Sequence, residues 1–161
     1  MKMTRKMKVV ILGAIDSDPN YVDKFKRVEK LILSKVDCVV LTSTNLPLYL
    51  TERDYMRLSM ENIDAADVVV LLPCWKRSQG ASTEREYCKR TAKLFLDFED
   101  EHAAIQALLR LRPILAAQHA YTEQLNDLLR FAVRPDAQTN GLGREAAQKL
   151  PIATKTLLHA T

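Results

Sequence analysis

Three short apolar, largely β-branched runs constrain this chain most: Lys8 to Ala14 (KVVILGA), Cys38 to Thr42 (CVVLT) and Asp67 to Leu72 (DVVVLL). Each reads as a strand, and since polar residues do not alternate with apolar ones, both faces of the sheet must be covered. Segments of helical period lie between them. Tyr21 to Leu33 carries Val22, Phe25, Val28, Leu31 and Ile32 on one face. Thr51 to Ala65 opens with Thr51 and Asp54 spaced as an N-cap and its first-turn partner. Ala81 to Ala92 reads as a third helix and Leu94 to Phe98 (LFLDF) as a fourth strand. The order β-α-β-α-β-α-β predicts an α/β fold, a doubly wound parallel sheet of flavodoxin-like or Rossmann-like type. The expected strand order is 2-1-3-4.

The pattern changes near residue 100. Ala103 to Leu111 is helical, Pro113 suits the start of a new helix, and Tyr121, Leu125, Leu128, Leu129 and Ala132 form one apolar stripe. Pro135 and Gly141 to Gly143 break the chain again, and a short closing helix is expected after them. The domains expected are a basic arm over 1–6, an α/β domain over 7–100 and a helical C-terminal extension over 101–161. The stripe reads as core or subunit contact, so a homo-oligomer is expected.

Charge and cysteine usage exclude several function classes. The net charge of +4 arises from 24 basic and 20 acidic residues. Lys2, Arg5, Lys6 and Lys8 put that excess in the first eight positions, so the remainder is neutral and no nucleic-acid partner is expected. Cys38, Cys74 and Cys88 form no C-x-x-C pair, which points to buried thiols and gives no metal site. No apolar run approaches the roughly 18 residues of a membrane span. The basic-then-apolar start is followed by Asp16 and Asp18 with no small-residue cleavage site. It reads as an arm leading into a strand, and the chain is expected to be cytoplasmic.

In open parallel sheets ligands bind beyond the carboxyl ends of the strands. That selects the loops after Gly13, after Thr42 and after Pro73. Gly13 and Gly80, the sole glycines of the first hundred residues, both sit at strand-to-helix transitions. They suit tight turns or close backbone approach. The third loop reads Pro73-Cys74-Trp75-Lys76-Arg77-Ser78-Gln79-Gly80-Ala81. With a helix expected to begin near Gly80 or Ala81, its free amides, the Ser78 hydroxyl and the Lys76 and Arg77 charges suit a phosphate. Glu84 follows about one turn into that helix, where a carboxylate can act on a sugar C1′ as nucleophile or as stabiliser of an oxocarbenium ion. Trp75 can pack, or stack on a sugar or base. Glu84 also has a purely structural reading, as an acid favoured by the helix dipole.

Tyr55 to Asp67 (YMRLSMENIDAAD), the run VVVLLPCW and the spacing W-x-x-S-x-G-A-x-x-E from Trp75 to Glu84 resemble the nucleoside 2-deoxyribosyltransferase superfamily. The pattern is most similar to an uncharacterised bacterial and phage branch, a domain of unknown function, over about residues 7–98. The resemblance implies that Glu84 is the nucleophile that attacks C1′ and releases the base. It implies that Ser78 contacts the sugar 5′ position, where the transferases have an Asp and the related 2′-deoxynucleoside 5′-phosphate N-hydrolases a phosphate-binding Ser. Gly13 and Tyr21 match the first loop, near sugar and phosphate, and Gly80 and Ala81 the start of the third helix. The substrate so implied is a nucleotide or nucleoside, and the reaction needs no metal or redox cofactor.

Two positions depart from the pattern. Ser59 stands eight residues before Asp67, where the superfamily has an Asp that protonates or orients the base. Serine is no general acid at neutral pH. Asp16 and Asp18 occupy a loop where a phosphate site prefers Gly and Arg. Three functions therefore stand side by side: an N-glycosidase or deoxyribosyltransferase, a non-catalytic nucleotide-binding or sensing module, and a structural or interaction protein built around its helical tail.

Overall fold

The computed structural model describes residues 5–16, 18–47 and 49–132. The expected elements appear in the expected order: β1 (Met7–Leu12), α1 (Tyr21–Lys35), β2 (Cys38–Thr42), α2 (Glu52–Ala65), β3 (Val68–Leu71), α3 (Gln79–Arg90), β4 (Phe95–Asp97) and α4 (Glu101–Ala132). All strand pairs are parallel, as the alternation of elements predicts, and the strand order is β2-β1-β3-β4, the order expected above. Met7 lies opposite Cys38, Val9 opposite Val68, and Val69 opposite Phe95.

The continuous apolar strands serve two cores, because successive side chains point to opposite faces. Val9, Ile11, Val68 and Val70 face one way, onto Phe25, Val28 and Ile32 of α1 and Ala104, Ile105 and Leu108 of α4. Val10, Leu12, Val69 and Leu71 face the other, onto Ile63 of α2 and Cys88 of α3. The sheet is thus doubly wound. The direction of winding reverses between β1 and β3, and at such a switch point the two following loops diverge and leave a crevice.

α2 begins as the sequence predicts. The Thr51 hydroxyl oxygen accepts from the Asp54 amide at 3.2 Å, and Asp54 accepts from the Thr51 amide at 3.3 Å. The expectation at Pro113 is corrected: Pro113 lies inside one continuous helix, α4, rather than starting a new one. The ring removes one N–H and leaves the Leu109 carbonyl without its intrahelical donor. Both residues are exposed, so water can take that carbonyl.

The chain divides into two compact units, Met1–Gln118 and His119–Thr161. In the second, Tyr121, Leu125 and Leu129 of the expected stripe are exposed. The expected break at Pro135 and Gly141 to Gly143 and the closing helix lie outside the described residues. The three cysteines are buried and free. Among the described residues no helix is long and apolar enough to cross a membrane.

Candidate active site

A 3₁₀ turn over Pro73–Arg77 links β3 to α3, with proline in its first turn where the missing N–H costs no bond. Ser78 then takes the extended backbone of an N-cap, and its Oγ accepts from the Ala81 amide at 3.2 Å. α3 therefore starts at Gln79, slightly earlier than the sequence suggests, because Ser78 is the cap rather than a free loop hydroxyl. Its O–H remains a donor.

From that cap the chain runs about one and two-thirds helical turns to Glu84. This places the carboxylate toward α2, not over the loop. The Ser59 hydroxyl of α2 donates to Glu84 Oε1. Both side chains are buried, with 3% and 9% of their residues' surface exposed. Burial pushes the Glu84 carboxyl up to about 7, with the Ser59 donation pulling the other way. One turn further, the buried Cys88 thiol is pushed up to about 11, by burial first and by the Glu84 charge second. Met56 of α2 flanks the same seam: a Cβ added at Gly80 would meet Met56 Cε at 3.8 Å and Ser78 Oγ at 3.7 Å. That is ordinary contact, so Gly80 is not forced by a close approach.

Gly13 is so forced. A Cβ there would lie 3.1 Å from Leu72 Cβ and 3.2 Å from Cys74 Sγ. The carboxyl ends of β1 and β3 thus meet at the switch point. Cys74 Sγ accepts from the Ala14 amide at 3.3 Å and from Lys24 Nζ at 3.1 Å. Lys24 also reaches Asp18 Oδ2 at 2.5 Å and the Ala14 carbonyl at 3.4 Å. The Lys24 hydrogen bond, then the Asn20 amide, holds the Asp18 carboxyl below its ordinary value, and the Arg77 charge acts in the same direction. Partial burial opposes the Lys24 charge, but the Asp18 and Cys74 contacts outweigh it and raise its pKa. Asp18 of the acidic loop is therefore neutralised from α1.

The other candidates lie elsewhere. Tyr21 opens α1 and sets its ring edge-on to Phe25 at 6.5 Å, against the core on the α1 face rather than beside Glu84. Trp75 donates from Nε1 to Asp97 at 2.9 Å, and the Arg85 guanidinium covers its ring at 4.6 Å. One stacking face of Trp75 is thus already occupied. Asp54 is held in the cap of α2, Asp64 accepts from the Tyr87 hydroxyl at 2.9 Å, and Glu86 pairs with Lys89 at 2.6 Å. The structure brings Ser59, Glu84, Gly80, Ser78 and Ala81 together on α2 and the start of α3. Gly13 instead meets Leu72 and Cys74 at the switch point. Lys24, Met56 and Cys88 are additions that sequence reasoning missed. Lys24 sits one turn into the helix after the first loop, and that position is the one signal that marks it. Among the described residues no group of three His, Cys, Asp or Glu side chains could hold a metal ion.

The family model described as Domain of unknown function (DUF4406) matches residues 7–97, the stretch that holds every residue of this site. No curated protein matches. A solved structure described as 2-desoxiribosyltransferase from Leishmania mexicana is 21% identical, with a TM-score of 0.47. The match covers 57% of this chain and 63% of that one, under two thirds of its length.

Proposed function

The chain belongs to the DUF4406 family, a domain of unknown function, and from the geometry of its site we propose that it cleaves the N-glycosidic bond of a nucleoside or nucleotide through Glu84. The observation that carries this reading is the buried Glu84 carboxylate at the α2–α3 seam, hydrogen-bonded by Ser59 on one oxygen and titrating at about 7. A carboxylate shielded from water is a stronger nucleophile than one at the surface, and a value near 7 leaves much of it ionised at neutral pH. The resemblance of Trp75 to Glu84 to the nucleoside 2-deoxyribosyltransferase superfamily points the same way.

In this reading Ser59 holds Oε1 and Oε2 attacks C1′. The C1′–N bond breaks, the base leaves and a glycosyl ester remains on Glu84. Water or an acceptor base then attacks C1′ and frees the carboxylate. The first-turn amides of α3 and the Ser78 hydroxyl offer donors to the 5′ end of the sugar, and Lys76 and Arg77 offer charge to a 5′-phosphate.

Burial of Glu84 behind Ser59 also favours a second reading, nucleotide binding without turnover. One experiment separates them. The purified chain is incubated with nucleosides and 5′-nucleotides, ribo and deoxy, with and without an acceptor base, and free base is measured by chromatography. Release that disappears in Glu84→Gln supports cleavage. A nucleotide-induced rise in Tm without release supports the binding module. Neither effect leaves the helical extension as the functional part.

A further inference from the structure

We infer that the N-glycoside this site takes is one whose base already carries a positive charge at the glycosidic nitrogen, a pyridinium nucleoside or nucleotide. The inference rests on the glycosidase reading above and names its substrate class.

When C1′–N breaks, the bonding electron pair goes to the base nitrogen. A neutral purine or pyrimidine then departs as an anion unless an acid protonates it, and such an acid is worth roughly 10²–10⁴ in rate. Among the described residues, Ser59 meets Glu84 by its hydrogen bond and Cys88 feels its charge, and neither serves as the acid. The Ser59 proton is already donated to Glu84, and an alcohol is no acid at neutral pH. The Cys88 thiol is pushed up to about 11. The other carboxylates of the two flanking helices do not serve either: Asp54 caps α2, Asp64 lies under Tyr87, Glu86 holds Lys89, and Glu52 and Glu61 stand on the exposed side of α2. His102 stands at the start of α4, whose first turns pack on the opposite face of the sheet.

A second observation is independent of the leaving group. Among the described residues no lysine or arginine pairs with the buried Glu84 carboxylate. A buried charge without a partner is costly, and a cationic ring beside it supplies the counter-charge. The balance closes without an acid. Carboxylate plus cationic glycoside gives a neutral ester and a neutral free base, with no proton moved. Water then adds to C1′, the ester bond to Glu84 breaks, and one proton leaves to solvent.

The test uses the full chain and two classes of probe. Nicotinamide mononucleotide and nicotinamide riboside carry the pyridinium, and the common purine and pyrimidine nucleosides and 5′-nucleotides carry neutral bases. Nicotinamide release is expected to exceed release of any neutral base by roughly a hundredfold, and to vanish in Glu84→Gln. In Ser59→Asp, with folding verified by circular dichroism, neutral-base release is expected to rise selectively. If the unaltered chain releases neutral bases as fast as nicotinamide, the inference is overturned and the glycosidase reading stands. If neither class yields base with the unaltered chain or with Ser59→Asp, the reading itself falls, and the inference with it.

Discussion

Ser59 on α2 and Glu84 on α3 are 25 residues apart in sequence, and the serine hydroxyl donates to the buried glutamate. The pair links the stability of the helical seam to its chemistry. The carboxylate proposed as nucleophile is also a buried charge with no lysine or arginine paired to it among the described residues.

Stability is therefore expected to fall with rising pH. The folded protein binds the Glu84 proton more tightly than the unfolded chain, since the folded value is about 7 against an ordinary 4.5. The favourable contribution is fully present below pH 4.5 and is lost as pH rises to about 7, a loss of about 3 kcal/mol at most. Glu84→Gln should flatten this dependence and be more stable than the parent at pH 8. Urea unfolding of both proteins at pH 5 and pH 8 checks it, and equal pH slopes would refute it.

Base release should depend on pH in the opposite sense. The ionised carboxylate is the attacking form, so kcat/KM climbs with pH and levels off above about 7. Ser59→Ala removes the contact that favours ionisation, so its inflection moves to higher pH. The same variant loses about 1–3 kcal/mol of stability above pH 7, because one buried carboxylate oxygen is left without a donor. A pH–rate profile of the two proteins tests the shift.

Ser78→Ala removes the cap of α3 and should cost about 1 kcal/mol of stability, read as a lower Tm. If the Ser78 O–H also meets a 5′-phosphate, KM rises for the nucleotide and not for the matching nucleoside. A KM that changes equally for both would assign Ser78 to helix capping alone.

Gly13→Ala tests the contact at the switch point. The added methyl would lie 3.1 Å from Leu72 Cβ and 3.2 Å from Cys74 Sγ. Leu72 Cδ1 also lies at 3.2 Å, so two side chains must give way together and overpacking should cost about 1–3 kcal/mol. Gly80→Ala meets nothing nearer than 3.7 Å and lies in a helix, so it should be neutral or stabilising. Chemical denaturation of the two variants side by side decides it.

Much of the architecture was legible along the chain because its causes are local. β-branched runs dictate strands, helical spacing dictates faces, and Thr51 with Asp54 announces the start of α2. Continuous apolar strands require cover on both sides, which with the alternation of elements leads to a doubly wound parallel sheet, while the order 2-1-3-4 is fixed only by how the strands pair. The spacing from Trp75 to Glu84 likewise marked the third loop. What the sequence could not show were relationships made by docking. The sequence puts Glu84 about one turn into α3 without saying which way it faces. Packing of α3 on α2 turns it to Ser59, so a position that reads as a missing acid becomes the glutamate's hydrogen-bond partner. Cys74 reads as a plain buried thiol until α1 docks on the sheet and brings Lys24 to its sulfur. Trp75 looks available for stacking until β4 places Asp97 at its nitrogen and α3 places Arg85 at its face. In each case the partner lies on another element, and its distance depends on how helices settle onto a twisted sheet. Local propensity determines which elements form. The tertiary structure decides which side chains share a low-dielectric space, and that sharing sets the ionisation of Glu84 and the chemistry open to it.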